Sequence, residues 1–385
     1  MTALSGISVL DFTHLLPGEL CSTVLCDMGA SVLRVESLQL TLGRMLPPVV
    51  NGQSLYFWSL HRNKQRIGLN LKHVDGTNII YKIVKDYDVV LENFRPGVMD
   101  RLGLGYDKLK EINPRLIYCS ISGYGQTGSC SQKPGHDLNF LAEAGIIELN
   151  GRENEKPTLP PVLVSDYMSG MYASLQIVAQ LYACQTTGKA AYIDISMFES
   201  ALSTMAILGT SKLYEQAHPE ITPYTYPREL PNYNVYECKD KRYLAVASLE
   251  PQFWQIFCEK IGCPEQARKL PNQHDQELKK ILEDAIKMKD LSEWRLIFED
   301  SNCCVSPVNT VLEALSSAAA LERNVVHQMR HPSLGVVPQV ACPLSDPIAE
   351  STAFDDTKNQ TIEVLRKSGY EDADIERLRS EKVIH

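Results

Sequence analysis

The sequence lacks the features that define several classes of protein. It has no run of 18 or more consecutive apolar residues, the length that a membrane-spanning helix needs. Its 11 cysteines include no C-x-x-C pair, so neither a zinc site nor a redox motif is predicted. The net charge of −9 disfavours binding to a nucleic-acid backbone. We therefore expect no membrane, no nucleic acid and no metal among its partners.

Sorting signals are also scarce. The N-terminal stretch has no basic segment ahead of an apolar one, and the terminal KVIH differs from the S-K-L signal of peroxisomal proteins. The odd number of cysteines is typical of reduced thiols in an intracellular protein. We predict a cytoplasmic protein, with a peroxisomal or mitochondrial location open if the chain is eukaryotic.

What the sequence does contain is an alternation of strand-like and helix-like segments. ISVLDF, SVLRVE, DVVLENF and RLIYCSISGYG are short apolar runs separated by helical patterns. This alternation of short strands and helices predicts βαβ units and a parallel sheet. Such sheets bind ligands at the carboxyl ends of their strands, where NFRPG and SGYGQTG occur. The predicted fold class is α/β, with a Rossmann-like parallel-sheet large domain.

The pattern changes after residue 210, where the N-terminal part of the large domain (1–210) ends. Residues 211–235 are rich in Pro and Tyr and show no clean period, which indicates a linker. Residues 236–320 predict a smaller α+β domain that begins with a hairpin around KDK. Residues 321–385 contain a linker, short strands and two helices, and we expect them to return to the large domain.

Two polar residues stand in similar positions. His136 follows a Pro-Gly turn and precedes an apolar helical pattern, and Asp166 stands where an extended stretch gives way to a helix. Each is most simply interpreted as part of a helix start. On opposite sides of one cleft they would instead form an acid/base pair that moves a proton on carbon. The residues alone leave both interpretations open.

Several segments together resemble one known family. They are ISVLDFTHLLPGELCSTVLCDMGASVLRVE, RNKQRIGLNLK, RPGVMDRLGLGYDKL, NPRLIYCSISGYGQTG and GHDLNF. In these segments the chain is similar to the family III CoA-transferases and α-methylacyl-CoA racemases. The resemblance implies that coenzyme A is part of the substrate, that no separate cofactor is needed, and that two chains form an interlocked homodimer.

The family carries two chemistries on one fold. Its transferases use an aspartate as a nucleophile that forms an acyl anhydride, and Asp166 matches that aspartate by context. Its racemases use the same position as a base, paired with a histidine in a G-H-D motif that His136 matches. Racemases also carry a glutamate in an E-P-Q-F segment, which Glu250 matches, although Glu250 before Pro251 is equally a common helix start.

The resemblance favours the racemase. G-H-D and E-P-Q-F are both present, and no glycine occurs between Gly209 and Gly262, where transferases carry a glycine-rich loop. We expect an epimerase of (2R)- and (2S)-2-methylacyl-CoA thioesters. The alternatives are a CoA-transferase with Asp166 as nucleophile and a non-catalytic binder of CoA thioesters.

The expected mechanism passes through an enolate. Asp166 is the base for one epimer, and His136, oriented by Glu250, is the base for the other. Backbone N–H groups after Ser165 are the expected donors to the enolate oxygen. The acyl group stays open, because YPRELPNYNVYE replaces an Asp-Gly-Gly-type segment of the racemases. Branched fatty acyl, bile-acid and aryl-propionyl groups all remain candidates.

Basic residues are the candidates for holding the phosphates of coenzyme A. They are Arg62, Lys64, Arg66 and Arg95, and each could equally be a solvated surface charge. The predicted coenzyme-binding residues are Arg62, Arg95, Tyr124, Gly135 and Asn139.

Overall fold

The computed structural model describes residues 2–151, 156–221, 230–272, 275–332, 334–344 and 359–385. The strands are β1 (Ser8–Asp11), β2 (Ser31–Glu36), β3 (Val49–Val50), β4 (Gln53–Ser54), β5 (Gln65–Gly68), β6 (Val89–Glu92), β7 (Ile117–Ser122), β8 (Ala191–Ser196), β9 (Tyr233–Glu237), β10 (Tyr243–Ala247), β11 (Val305–Pro307), β12 (Val326–His331) and β13 (Gly335–Val340). The helices are α1 (Leu16–Asp27), α2 (Leu55–His61), α3 (Val74–Ile83), α4 (Val98–Arg101), α5 (Tyr106–Ile112), α6 (Asp137–Glu143), α7 (Ile146–Leu149), α8 (Val164–Thr187), α9 (Met197–Ser203), α10 (Ala206–Ala217), α11 (Pro251–Ile261), α12 (Gln276–Ile286), α13 (Leu291–Phe298), α14 (Val311–Leu315), α15 (Ala318–Glu322), α16 (Thr361–Lys367) and α17 (Asp372–Ser380). Within these ranges no helix combines the length and the hydropathy that crossing a membrane would require.

Six of the strands form one parallel sheet in the order β5-β2-β1-β6-β7-β8. The chain runs outward from β1 in one direction, then returns to β6 and runs outward in the other. Doubly wound nucleotide-binding folds have this order, which leaves a crevice between the carboxyl ends of β1 and β6. The predicted α/β fold with a parallel sheet is confirmed.

Consecutive residues of a strand in the parallel sheet belong to two different hydrophobic cores, one on each face of the sheet. Val9 belongs to a buried cluster with Leu25 of α1 and Ile177 of α8. Leu10 belongs to another, with Ile80 of α3 and Leu378 of α17. Because helices cover both faces of the sheet, its central strands are continuous apolar runs rather than alternating ones. This is why their sequences stand out as strands.

The chain divides into two compact units. Unit 1 consists of Met1–Ala206 and Arg323–His385, and unit 2 is Ile207–Glu322. In unit 1 the C-terminal segment reaches the sheet, and the backbone N–H of Asn70 donates to the carbonyl of Val383 over 2.9 Å. In unit 2, β9, β10 and β11 form an antiparallel sheet. The core beside that sheet contains Trp254 and Trp294.

The predicted domain boundaries at residues 210, 235 and 320 stay a prediction. Residues 222–229 of the proposed linker, with part of the departure YPRELPNYNVYE, lie outside the described residues. The first part of that linker differs from our expectation, since α10 covers residues 206–217. No proline interrupts this segment before Pro219, so the helix extends almost to that residue.

Candidate active site

A cavity of about 380 Å³ lies at the carboxyl edge of the parallel sheet. Its walls come from the segments that follow β1, β6 and β7 and from the starts of α6 and α8. It therefore occupies the region where the strand order reverses, the usual place for a ligand in such folds. We call it the site cavity, and its lining includes His14, Leu15, Pro17, Asn93, Arg95, Ser122, Gly135, His136 and Asp166.

Hydrogen bonds join the segments that follow β1 and β6. Asn93 Nδ2 donates to the carbonyl of His14 over 2.6 Å, and the backbone N–H of His14 donates to Asn93 Oδ1 over 2.8 Å. Asp11, at the end of β1, accepts from the backbone N–H of Thr13 over 2.8 Å and from its hydroxyl over 2.6 Å. These contacts fix the backbone on this side of the cavity.

His136 is the N-cap of α6, and its side chain is exposed and lines the site cavity. Its backbone N–H donates to Asn139 Oδ1 over 3.0 Å. Before it, a Cβ atom on Gly135 would lie 2.7 Å from the ring of Phe140, so any side chain there would displace the ring. The histidine thus both begins a helix and borders a cavity, and the two interpretations of its sequence context are compatible.

Asp137 is a buried residue next to His136 that the sequence analysis did not single out. Its side chain is buried, and Oδ1 accepts from the backbone N–H and the hydroxyl of Ser165, each over 2.7 Å. The same atom accepts from the backbone N–H of Asp166 over 3.3 Å. Asp137 thereby joins α6 to the first turn of α8. The signal for it in the sequence was its place beside His136 in the G-H-D motif.

Asp166 lies in the first turn of α8, is 9% exposed and lines the site cavity. Among the described residues its Oδ1 atom has no hydrogen-bond partner. Burial raises the pKa of Asp166 to about 7, and the charge of the nearby Asp137 carboxylate adds to the rise. A carboxyl group with this pKa can both accept and donate a proton near neutral pH.

The sequence profile of CoA-transferase family III matches residues 4–352. The chain belongs to this family. Alpha-methylacyl-CoA racemase of Homo sapiens is 32% identical to it over 388 residues, covering 99% of this chain and 97% of the racemase. Succinyl-CoA:glutarate CoA-transferase of Mus musculus is 32% identical over 354 residues, covering 88% of this chain and 79% of the transferase.

A solved structure has the same fold as this chain. A CAIB/BAIF family protein from Brucella suis has a TM-score of 0.81 at 25% identity, covering 95% of this chain and 99% of that one. The protein is thus an enzyme of the family III CoA-transferases and racemases. Relatives with the two reactions are similar to this chain to the same degree, so similarity alone favours neither reaction.

Arg95 and Gly135 line the site cavity, and both are among the predicted coenzyme-binding residues. The side chain of Arg95 is exposed. Tyr124 packs edge-on against Phe140, with the ring centroids 5.3 Å apart, and Asn139 caps α6. Contact of these residues with coenzyme A stays a prediction.

The remaining predicted cations are engaged by contacts with other residues of the protein. Arg62 is buried, and its Nε donates to Asp27 Oδ1 over 3.0 Å. Lys64 Nζ donates to a carbonyl and a hydroxyl of α1, each over 2.8 Å. Arg66 pairs with Glu36 at 3.2 Å. These contacts give the three residues structural roles, and their contact with coenzyme A stays a prediction.

A second cavity, of about 550 Å³, shares His14 and Phe94 with the lining of the site cavity. We call it the flanking cavity. Lys72, which follows β5, and Lys382, which follows α17, contribute positive charge to it. The sequence analysis missed both lysines, although Lys72 follows a strand at the same edge of the sheet as NFRPG and SGYGQTG.

Glu250 belongs to unit 2, where it is the N-cap of α11 and precedes Pro251. The helix-start interpretation of this dipeptide is therefore correct. The pairing of Glu250 with His136, which the racemase resemblance implies, stays a prediction.

Proposed function

We propose that the protein is a racemase that interconverts (2R)- and (2S)-2-methylacyl-CoA thioesters. The observation that carries the proposal is that His136 and Asp166 line one cavity at the carboxyl edge of the sheet. An acyl transfer through an anhydride needs one carboxylate. In a two-base exchange of a proton between the two faces of a carbon, one titratable group serves each face, and this cavity has two such groups.

The reaction proceeds through an enolate. The thioester carbonyl delocalises the negative charge that forms when the α-proton leaves. One of the two groups removes this proton, and the other, in its protonated form, delivers a proton to the opposite face. Asp166, with a pKa of about 7, suits both directions because neither of its protonation states is rare at neutral pH. Glu250 would orient His136 and stabilise its protonated form.

The enolate oxygen needs hydrogen-bond donors. The expected donors after Ser165 already have acceptors: the backbone N–H of Asp166 donates to Asp137 Oδ1 over 3.3 Å, and that of Tyr167 donates to the carbonyl of Leu163 over 3.0 Å. Next to His136, at the start of α6, the N–H groups of Asp137 and Leu138 have no hydrogen-bond partner among the described residues. We assign the enolate oxygen to these two groups.

Coenzyme A enters as part of the substrate, and no separate cofactor takes part in this scheme. The phosphates would lie in the flanking cavity near Lys72 and Lys382, and the pantetheine arm would cross to the site cavity past His14 and Phe94. The homodimer is part of the proposal, since Glu250 would approach His136 from the second chain.

The test is incubation of one epimer of a 2-methylacyl-CoA in deuterated water. The wild type should form the other epimer with deuterium on the α-carbon. His136→Ala should slow inversion at least about 100-fold, because one of the two proton carriers is gone. The control is His218→Ala, because His218 directly follows α10 and is outside the lining of the site cavity; this variant should behave as the wild type. A wild type without inversion or exchange contradicts the proposal.

A CoA-transferase with Asp166 as nucleophile is the second candidate. It is favoured by the Oδ1 atom of Asp166, which has no hydrogen-bond partner in the part of the chain that the structure describes and can attack a thioester. Hydroxylamine added during incubation with an acyl-CoA would capture an anhydride on this residue, and mass spectrometry would locate it. Capture in the wild type but not in Asp166→Asn supports transfer. Absence of capture while deuterium is exchanged supports the racemase.

A further inference from the structure

A third cavity, of about 580 Å³, lies in unit 1 between α1, α2, α8 and the strand β13 with the residues after it. We call it the apolar cavity. Leucine, valine, proline and methionine side chains make up most of its lining. Its volume is within the range of small-molecule binding sites, which are mostly apolar. Neither the proton transfer nor the coenzyme placement described above uses it.

The polar side chains that α1 and α2 bring to this cavity are already satisfied. The hydroxyl of Thr23 donates to a backbone carbonyl of α1 over 2.7 Å, and that of Ser59 donates to a carbonyl of α2 over 2.8 Å. The guanidinium of Arg62 is held by Asp27 and by the carbonyl of Ser59. The helices therefore present mainly carbon atoms to the cavity. Arg62 is the one cation in the described lining, and it is already paired.

The apolar cavity and the site cavity flank the same contact between two helices. Pro17 of α1 and Asp166 of α8 line the site cavity. Leu20 and Tyr167, further along the same helices, line the apolar cavity. The helices are close here because Gly170 has no side chain: a Cβ atom on it would lie 2.7 Å from the carbonyl oxygen of Pro17. Because Asp166 and Tyr167 are consecutive residues, the two cavities lie beside each other at this contact.

We propose that the apolar cavity binds the acyl group of the thioester whose α-carbon lies between His136 and Asp166. This inference rests on the proposed function for the identity of the ligand and adds its substrate class. The acyl group is apolar along its length and ends without a charge. A terminal carboxylate would enter a cavity whose described lining offers it no unpaired cation, and an unpaired charge is strongly disfavoured there.

Binding of unreactive thioether analogues tests this without turnover. The probes are S-butyl-, S-hexyl- and S-octyl-CoA and an octyl analogue with a terminal carboxylate, measured by titration calorimetry. In the wild type each added methylene should tighten binding about fourfold, the effect of burying one such group. The terminal carboxylate should weaken binding of the octyl analogue about 100-fold or more.

A pair of substitutions on α8 localises the effect. Met171→Trp places a large side chain in the lining of the apolar cavity, and it should bind the octyl analogue no more tightly than the butyl one. Leu175→Trp, one turn further along on an exposed position outside that lining, should keep the wild-type dependence on chain length. Both variants should bind coenzyme A without an alkyl group as the wild type does, because that ligand does not reach the apolar cavity, which shows that they are folded.

Three results would overturn the inference: equal affinity for all chain lengths in the wild type, equal affinity for the carboxylate analogue, or the same loss in both tryptophan variants. These results are independent of catalysis. A protein with the expected chain-length dependence that neither epimerises nor exchanges deuterium would refute the racemase and leave the binding site in place.

Discussion

Replacing Asp166 with asparagine should stabilise the protein in a pH-dependent way. A pKa of about 7 in the folded chain, against about 3.9 in the unfolded chain, means that folding favours the protonated carboxyl. Wild-type stability therefore falls as the pH rises from about 4 to about 7, and above 7 the full loss is present. Asparagine is neutral at every pH and avoids this loss.

The size of the effect follows from the same values. Each pKa unit corresponds to about 1.4 kcal/mol, so the charged Asp166 costs about 4 kcal/mol at high pH. Between about pH 5 and pH 8.5, Asp166→Asn should gain about 2–3 kcal/mol in free energy of unfolding over the wild type.

Urea unfolding of both proteins at the two pH values measures this gain. Asp86→Asn, which replaces an exposed aspartate, serves as the control and should gain nothing between them. If Asp166→Asn gains no more than this control, the carboxyl is not held in its protonated form by burial. The suitability of Asp166 as both acid and base would then lose its physical basis.

Two further substitutions test the packing around the site. Gly170→Ala should lower the free energy of unfolding by about 1–3 kcal/mol, because its Cβ atom would lie 2.7 Å from the carbonyl of Pro17. Gly209→Ala, in α10 with no atom within 4 Å of the new Cβ, should be neutral or stabilising, and equal unfolding midpoints for the two variants would contradict the contact. Arg62→Met should cost about 3–5 kcal/mol in thermal or urea unfolding, because it leaves Asp27 buried and unpaired. A cost under about 1 kcal/mol would mean that the pair is solvated.

The sheet was predictable from the sequence because its strands are buried on both faces. Segments such as SVLRVE and RLIYCSIS are almost continuously apolar and are separated by helical patterns, which is the signature of βαβ units. The order of the strands was not predictable. A hydrophobic pattern gives the period and the burial of each strand, whereas its neighbours depend on contacts between residues distant in sequence.

The site was predictable only in part. The family motif identifies His136 and Asp166, and the structure places both at one cavity. The hydrogen bonds of Asp137 to the start of α8 join residues far apart in sequence, so no local sequence pattern predicts them. Charged residues posed the same difficulty. Arg62 and Arg95 look alike in the sequence, but one is buried against Asp27 and the other is exposed at the cavity.

Asp137 couples two properties that could otherwise vary separately. Its Oδ1 atom holds the backbone that carries Asp166, and its negative charge helps to raise the pKa of the same residue. Its backbone is continuous with that of His136. A substitution at this one position therefore affects both the distance between His136 and Asp166 and the proton affinity of Asp166. Attempts to redesign the enzyme for another pH cannot treat geometry and acidity as independent variables here.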